Sequence, residues 1–176
     1  MDTLWAPWRM AYIQGIGAKE ESGCVFCVKG ARAGEDDRKD LILYRGKKCF
    51  VILNLYPYNN GHLMVIPYAH LSDICLLDKE TSGELWELVC RSREALSRAF
   101  HPDGFNIGIN LGRTAGAGID AHVHAHIVPR WNGDTNFMPV LGEVKVISQA
   151  LEKTFEALLP YWRSTAATTS GSDPLR

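Results

Sequence analysis

Ala121-His122-Val123-His124-Ala125-His126-Ile127-Val128 alternates histidine or alanine with apolar residues and stops before Pro129. That period of two belongs to a strand, whose successive side chains point to opposite faces. Read so, His122, His124 and His126 form one row, about 6.6 Å apart per step, and Val123, Ala125 and Ile127 turn into the core. Phe105-Asn106-Ile107-Gly108-Ile109-Asn110 alternates in the same way, and Gly112 to Gly118 between the two carries several glycines. The spacing predicts strand, Gly-rich loop, strand.

Working outward, Leu41-Ile42-Leu43-Tyr44 and Cys49-Phe50-Val51-Ile52-Leu53 flank Arg45-Gly46-Lys47-Lys48, a hairpin pattern, and Leu63-Met64-Val65-Ile66 follows the turn signals Pro57 and Asn59-Asn60-Gly61. From Asp78 to about Phe100 apolar residues recur at helical spacing, with Asp78, Thr81 or Ser82 available as caps. Residues 148–159 predict a second, shorter helix. Hairpin-linked strands interrupted by one long helix give an α+β antiparallel sheet, not a parallel βαβ array. Residues 1–22 read as an N-terminal arm, 23–163 as the domain, and 164–176, rich in Ser, Thr and Gly, as a disordered tail. The charged stretch 31–40 reads as a solvated loop.

The 176 residues carry a net charge of −1 and a pI near 6.6, which argues against duplex nucleic acid or an anionic membrane as partner. The odd count of five cysteines and the lack of a leader or of an apolar run near ~18 residues predict a cytoplasmic, reducing setting. Cys49, Cys75 and Cys90 sit in apolar runs and read as core. Trp5, Trp8, Trp86 and Trp162 read as packing residues; Trp131 alone has a position suited to stacking on a base.

The histidine row, three of six histidines in the chain, admits three readings. It can be a polar strand face. It can be a catalytic zinc site using His122, His124 and His126, or these with Asp120, although strict alternation spreads the outer pair over about 13 Å. Or it can hold a neutral imidazole that attacks phosphorus and carries the transferred group as a phosphoramidate. The loop Asn110-Leu111-Gly112-Arg113-Thr114-Ala115-Gly116-Ala117-Gly118 favours the third, because glycines let backbone N–H groups approach phosphate oxygens. Separately, Cys24-Val25-Phe26-Cys27 has the spacing that brings two thiolates to one ion, which is half of a structural zinc site; a redox or idle pair is the alternative.

His122-Val123-His124-Ala125-His126-Ile127-Val128 resembles the His-φ-His-φ-His-φ-φ motif of the histidine triad (HIT) superfamily. Phe50 to Pro57 with Asn60 to Pro67 looks like the family's nucleoside-binding hairpin. Pro129-Arg130-Trp131 with Gly133-Asp134 looks like its fragile-histidine-triad branch, and Leu4-Trp5-Ala6-Pro7-Trp8-Arg9 and residues 132–137 like bacterial diadenosine tetraphosphate phosphorylases of that branch. The resemblance implies a five-stranded antiparallel sheet with helices, a homodimer sharing a continuous sheet, and cleavage of dinucleoside polyphosphates; magnesium can accompany the polyphosphate substrate. His124 would be the nucleophile and His126 would contact phosphate or leaving group. Asn54 would hold ribose, His62 would support the nucleoside site, and Asn110, Gly116, Ala117 and Gly118 would border the phosphates. It also implies that Cys24, Cys27, His70 and His122 hold a structural zinc. Dinucleoside polyphosphate hydrolysis, phosphoramidate cleavage and nucleotide binding without catalysis are the alternatives. At the place where the family commonly has a hydroxyl or amide residue touching phosphate, this sequence has Gly118, followed by Ile119-Asp120, which leaves the acceptor open between phosphate and water.

Overall fold

The computed structural model describes residues 23–32, 34–134 and 149–163; the expected arm 1–22 and tail 164–176 lie outside them. Helix α1 (Val25–Ala31) and a one-turn helix α2 (Asp37–Asp40) precede strands β1 (Ile42–Arg45), β2 (Cys49–Leu53) and β3 (Leu63–Pro67). Helix α3 (Lys79–Phe100), strands β4 (Gly104–Ile109) and β5 (Ala125–Arg130), and helix α4 (Leu151–Arg163) follow. The sheet order is β1-β2-β3-β5-β4, antiparallel throughout, as expected from the hairpin pattern.

Alternation along the strands gives the sheet two different faces. Val51, Leu53, Leu63, Val65, Ala125 and Ile127 pack with Leu85, Leu88, Val89 and Leu96 of α3 and with Phe155, Leu158 and Trp162 of α4. Phe50, Ile52, Met64 and Ile66 turn the other way and meet Phe26 of α1. Cap geometry fixes the ends of α3: the Asp78 carboxylate accepts from the Thr81 N–H at 2.7 Å, and His101 closes the helix in the left-handed region at φ 48.

Several boundaries differ from the sequence expectation. β1 starts at Ile42 because Leu41 closes α2 with φ 62, and a left-handed residue cannot continue into a strand. The stretch 31–40 is more than a solvated loop: Asp40 is buried and paired with Arg32 and Lys29, and Asp37 with Arg45. α4 runs to Arg163 through Pro160. Trp162 is buried and stacks with Tyr44 while Arg91 lies over both rings, so tertiary packing holds the last turn despite the missing N–H. Cys49 is core, but Cys75, Cys90 and Trp86 are exposed: Cys90 and Trp86 lie on the face of α3 that turns away from the sheet, and Cys75 on the short 3-10 turn before it.

The main correction concerns β5, expected from Ala121. Residues 121–124 are a turn and an unpaired extended stretch, in which the Val123 N–H donates to the Leu71 carbonyl at 2.6 Å. The strand then continues through Pro129. β3 pairs with β5 only as far as Ile127, so the proline nitrogen lies where no ladder bond is required. Gly61 (φ +73) lies beside this end, where an added Cβ would come within 2.9 Å of Leu96 and 3.3 Å of Pro129; only glycine suits the place.

Candidate functional site

The histidines emerge on the thinly covered side of the sheet. His126 is opposite Met64 of β3 and Gly108 of β4, and His122 and His124 are on the extended lead-in to β5. Contrary to an open row, all three are buried, at 0 %, 4 % and 8 % exposure in chain order. Phe26 covers two of them, its ring edge-on to His122 at 5.5 Å and to His124 at 5.0 Å. Sequence reasoning treated Phe26 only as the spacer inside Cys-x-x-Cys; its aromatic character was the signal.

Hydrogen bonds settle which nitrogen of each ring carries the proton. The Nδ1–H of His124 donates to the carbonyl of His122 at 2.8 Å, which leaves the Nε2 lone pair available. His62, fully buried, accepts at Nδ1 from the Tyr58 N–H at 3.0 Å and from the Asn54 side-chain amide at 3.3 Å. Its Nε2–H therefore faces Nδ1 of His126 at 2.9 Å, and His126 keeps its own proton on Nε2. That nitrogen is buried without a protein partner. A buried donor of this kind calls for a ligand or water. The rings of His124 and His126 lie 4.7 Å apart at their centroids, edge to face at 72°.

Electrostatics keep the imidazoles uncharged. Burial lowers the pKa of His124; burial and then the neighbouring His124 push His126 down to about 4; burial is also the main cause for His122.

The other expected residues separate by position. Asn54 is held by the loop, its side-chain oxygen accepting from the Tyr56 N–H at 2.9 Å, and His62 stands behind His126, not at an open surface. Asn110 ends the β4 side of the Gly-rich loop, its amide 4.0 Å from where a Gly116 Cβ would lie. Gly112 and Gly116 adopt φ 79 and φ 90 around a single 3-10 turn, Arg113–Ala115, and Ala117 and Gly118 follow it. Asp120 turns outward to Arg113, with 4.0 Å between Oδ2 and Nε. Trp131 donates its indole N–H to the Phe100 carbonyl and so packs at the end of α3. The turn residue Asn59 does more than the sequence suggested: it donates to Asp134, which also holds Arg130 and the Trp131 N–H.

Cys24, Cys27, His70 and His122 bring one donor atom each to within 4.8 Å of one another. Individual separations are 3.3 Å (Cys24 Sγ to His122 Nδ1), 3.2 Å (Cys27 Sγ to His70 Nδ1) and 3.2 Å between the two Nδ1 atoms. Tetrahedral ligands with Zn–N near 2.0–2.1 Å and Zn–S near 2.3 Å stand about 3.3–3.8 Å apart. His122 donates from Nε2 to the Pro67 carbonyl at 2.8 Å, so the lone pair on Nδ1 faces the other donors, the outer hydrogen bond typical of a metal-binding imidazole. The residues fit a tetrahedral metal ion, and His122 turns away from the row that His124 and His126 share.

Comparison with known proteins agrees with this geometry. A family model described as "HIT domain" matches residues 35–133. An AP-4-A phosphorylase of Mycobacterium tuberculosis is 37 % identical over 167 residues, 92 % of this chain and 85 % of that one. An adenosine 5'-monophosphoramidase of Schizosaccharomyces pombe is 32 % identical over 62 % of this chain and 75 % of its own length. A zinc-bound histidine triad family protein from Mycobacterium smegmatis has the same fold with a TM-score of 0.63, 28 % identity, and coverage of 80 % of this chain and 93 % of that one. With the histidines, the sheet and the matched segment in agreement, this chain belongs to the HIT-domain family.

Proposed function

We propose that the protein transfers a nucleotidyl group from a dinucleoside polyphosphate to inorganic phosphate, the activity for which the mycobacterial relative is named. The observation that carries this is a lone pair left available on His124 Nε2 together with an unpartnered donor on His126 Nε2 of the adjacent ring. In the first step His124 Nε2 attacks the α-phosphorus, a P–N bond forms, and the P–O bond to the remaining nucleoside polyphosphate breaks. The Nε2–H of His126 stabilises the negative charge on the oxygens around phosphorus. In the second step an oxygen of inorganic phosphate attacks, the P–N bond breaks, and His124 returns to its starting tautomer. Two displacements replace one difficult displacement. Asn54 and the 110–118 loop hold ribose and phosphate.

A structural zinc on Cys24, Cys27, His70 and His122 supports this reading, since the donor set fits it; it would cross-link α1 to the lead-in of β5. His122 then joins two tasks, its ring in the cluster and its carbonyl fixing the proton of His124. Magnesium would arrive with the polyphosphate as part of the substrate. The free thiols suit a reducing, cytoplasmic compartment. Among the described residues no helix is long and apolar enough to cross a membrane.

Incubating the protein with diadenosine tetraphosphate, with and without inorganic phosphate, tests the proposal. ATP plus ADP, formed only with phosphate and abolished in His124→Ala, is the expected result. ATP plus AMP regardless of phosphate makes water the acceptor and overturns the phosphorylase. Absence of any His124-dependent product overturns dinucleoside polyphosphate cleavage altogether.

A further inference from the structure

The histidine site brings no formal charge to a ligand that carries several. His126 accepts at Nδ1 from His62 and so holds one proton and no charge, and the Nδ1–H of His124 is taken by the His122 carbonyl. Beyond the attacked phosphorus a polyphosphate carries charges that a protein cation can pair with, besides any magnesium it brings. Within residues 102–129 the sequence supplies one lysine or arginine only, Arg113. It sits on the single turn Arg113–Ala115, between glycines at φ 79 and φ 90, in the loop that joins Asn110 to the lead-in of the histidines. Its side chain is 88 % exposed, and its ion-pair partner, Asp120, lies at the 4.0 Å limit of contact and is itself 47 % exposed. Asp120 in turn precedes His122 by two residues. An exposed ion pair of this length contributes little stability, so it leaves the guanidinium available to another partner.

We propose that Arg113 is the anchor for the phosphates distal to the attacked one, and that Asp120 holds it beside the site until a polyphosphate takes it over. Guanidinium binds phosphate through two parallel N–H donors, in a geometry that a carboxylate also matches, so Asp120 and a phosphate group are interchangeable partners. This also accounts for a carboxylate so close to a polyphosphate: once the arginine moves, Asp120 stays in solvent and its repulsion is screened. The device sorts ligands by phosphate-chain length. It rests on the nucleotidyl-transfer reading only in taking nucleotides as ligands, and it is tested by binding, without turnover.

The experiment is isothermal titration of the full, metal-loaded chain with ATP and with AMP in the absence of magnesium, on wild type, Arg113→Gln, Arg113→Lys and Asp120→Asn. The wild type is expected to favour ATP. Arg113→Gln is expected to reduce the ratio of ATP to AMP affinity about tenfold, one charge-assisted contact, with Arg113→Lys intermediate and Asp120→Asn equal to or above wild type. An unchanged ratio in Arg113→Gln, equal loss of ATP and AMP binding, or no ATP preference in the wild type overturns the proposal. A ratio reduced in Asp120→Asn as far as in Arg113→Gln overturns the holding role of Asp120. Failure to cleave diadenosine tetraphosphate would not affect these ratios, so the two proposals fail separately.

Discussion

His126 ties stability to pH through its buried place between His62 and His124. In an unfolded chain its imidazole takes up a proton near pH 6.5, but in the fold only near pH 4, because burial and then His124 oppose the charge. Between these values the unfolded state alone binds the proton, so stability is full above about pH 6.5, falls as pH drops, and levels off below about pH 4. A shift of this size corresponds to at most about 3 kcal/mol. Urea titrations at pH 7 and pH 5 should show the wild type losing more stability than His126→Gln; equal losses would mean that the ring is already charged or freely hydrated. That His124 and His126 come together was legible in sequence from the period-two alternation. The environment of the three histidines was not legible: the strand pattern placed them in an open row, whereas Phe26, nearly a hundred positions away in sequence, covers His122 and His124. Only the fold brings those residues together.

Among the elements, α1 has the least support of its own. It has seven residues, no side-chain cap, and one buried residue, Phe26. An isolated helix of this length is not stable in water. Its attachment comes from the Phe26 contacts, from Arg45 donating to the carbonyls of Lys29 and Gly30, and, on the proposed reading, from a zinc ion. Removing zinc with a strong chelator is therefore expected to raise amide exchange in residues 25–31 at least tenfold while the amides of β2 and β3 stay protected. Cys27→Ser should reproduce the effect and lose stoichiometric zinc by native mass spectrometry. Unchanged exchange after verified zinc removal would overturn the cross-linking role. Local signals identified the elements themselves well: the caps of α3, the hairpin turns and the apolar alternation all act within a few residues. The errors arose where distant packing prevailed, at Pro160, which α4 passes because Trp162 is buried, and at Ala121–His124, where Leu71 and Pro67 replace a sheet partner.

At the scale of the whole molecule, the sheet has an open edge among the described residues. There β4 pairs with β5 on one side alone, and the burial of its residues is slight. Ile107 and Leu111, at 43 % and 39 % exposure, flank that edge. An exposed edge strand with apolar neighbours pairs readily with another, and we propose that two chains join there into one continuous sheet. Sedimentation equilibrium is expected to give twice the chain mass for the wild type, and Ile107→Lys to shift the equilibrium at least tenfold toward monomer. A monomeric wild type would overturn this assembly. The fold class was readable in advance because strand and helix periodicities are local, whereas an edge that invites a second chain has no periodicity to betray it.

The hydrogen bonds from Tyr58 through His62 to His126 start at a backbone N–H. Such a group gives up no proton at ordinary pH and accepts none, so the chain has a closed end. It orients and polarises, but it is not a wire to solvent. A proton that His126 surrendered to a bound ligand would have to return from the ligand side, from the product, the next substrate or water in the pocket. The interior of the protein supplies this site with direction and leaves the supply of protons to whatever enters it.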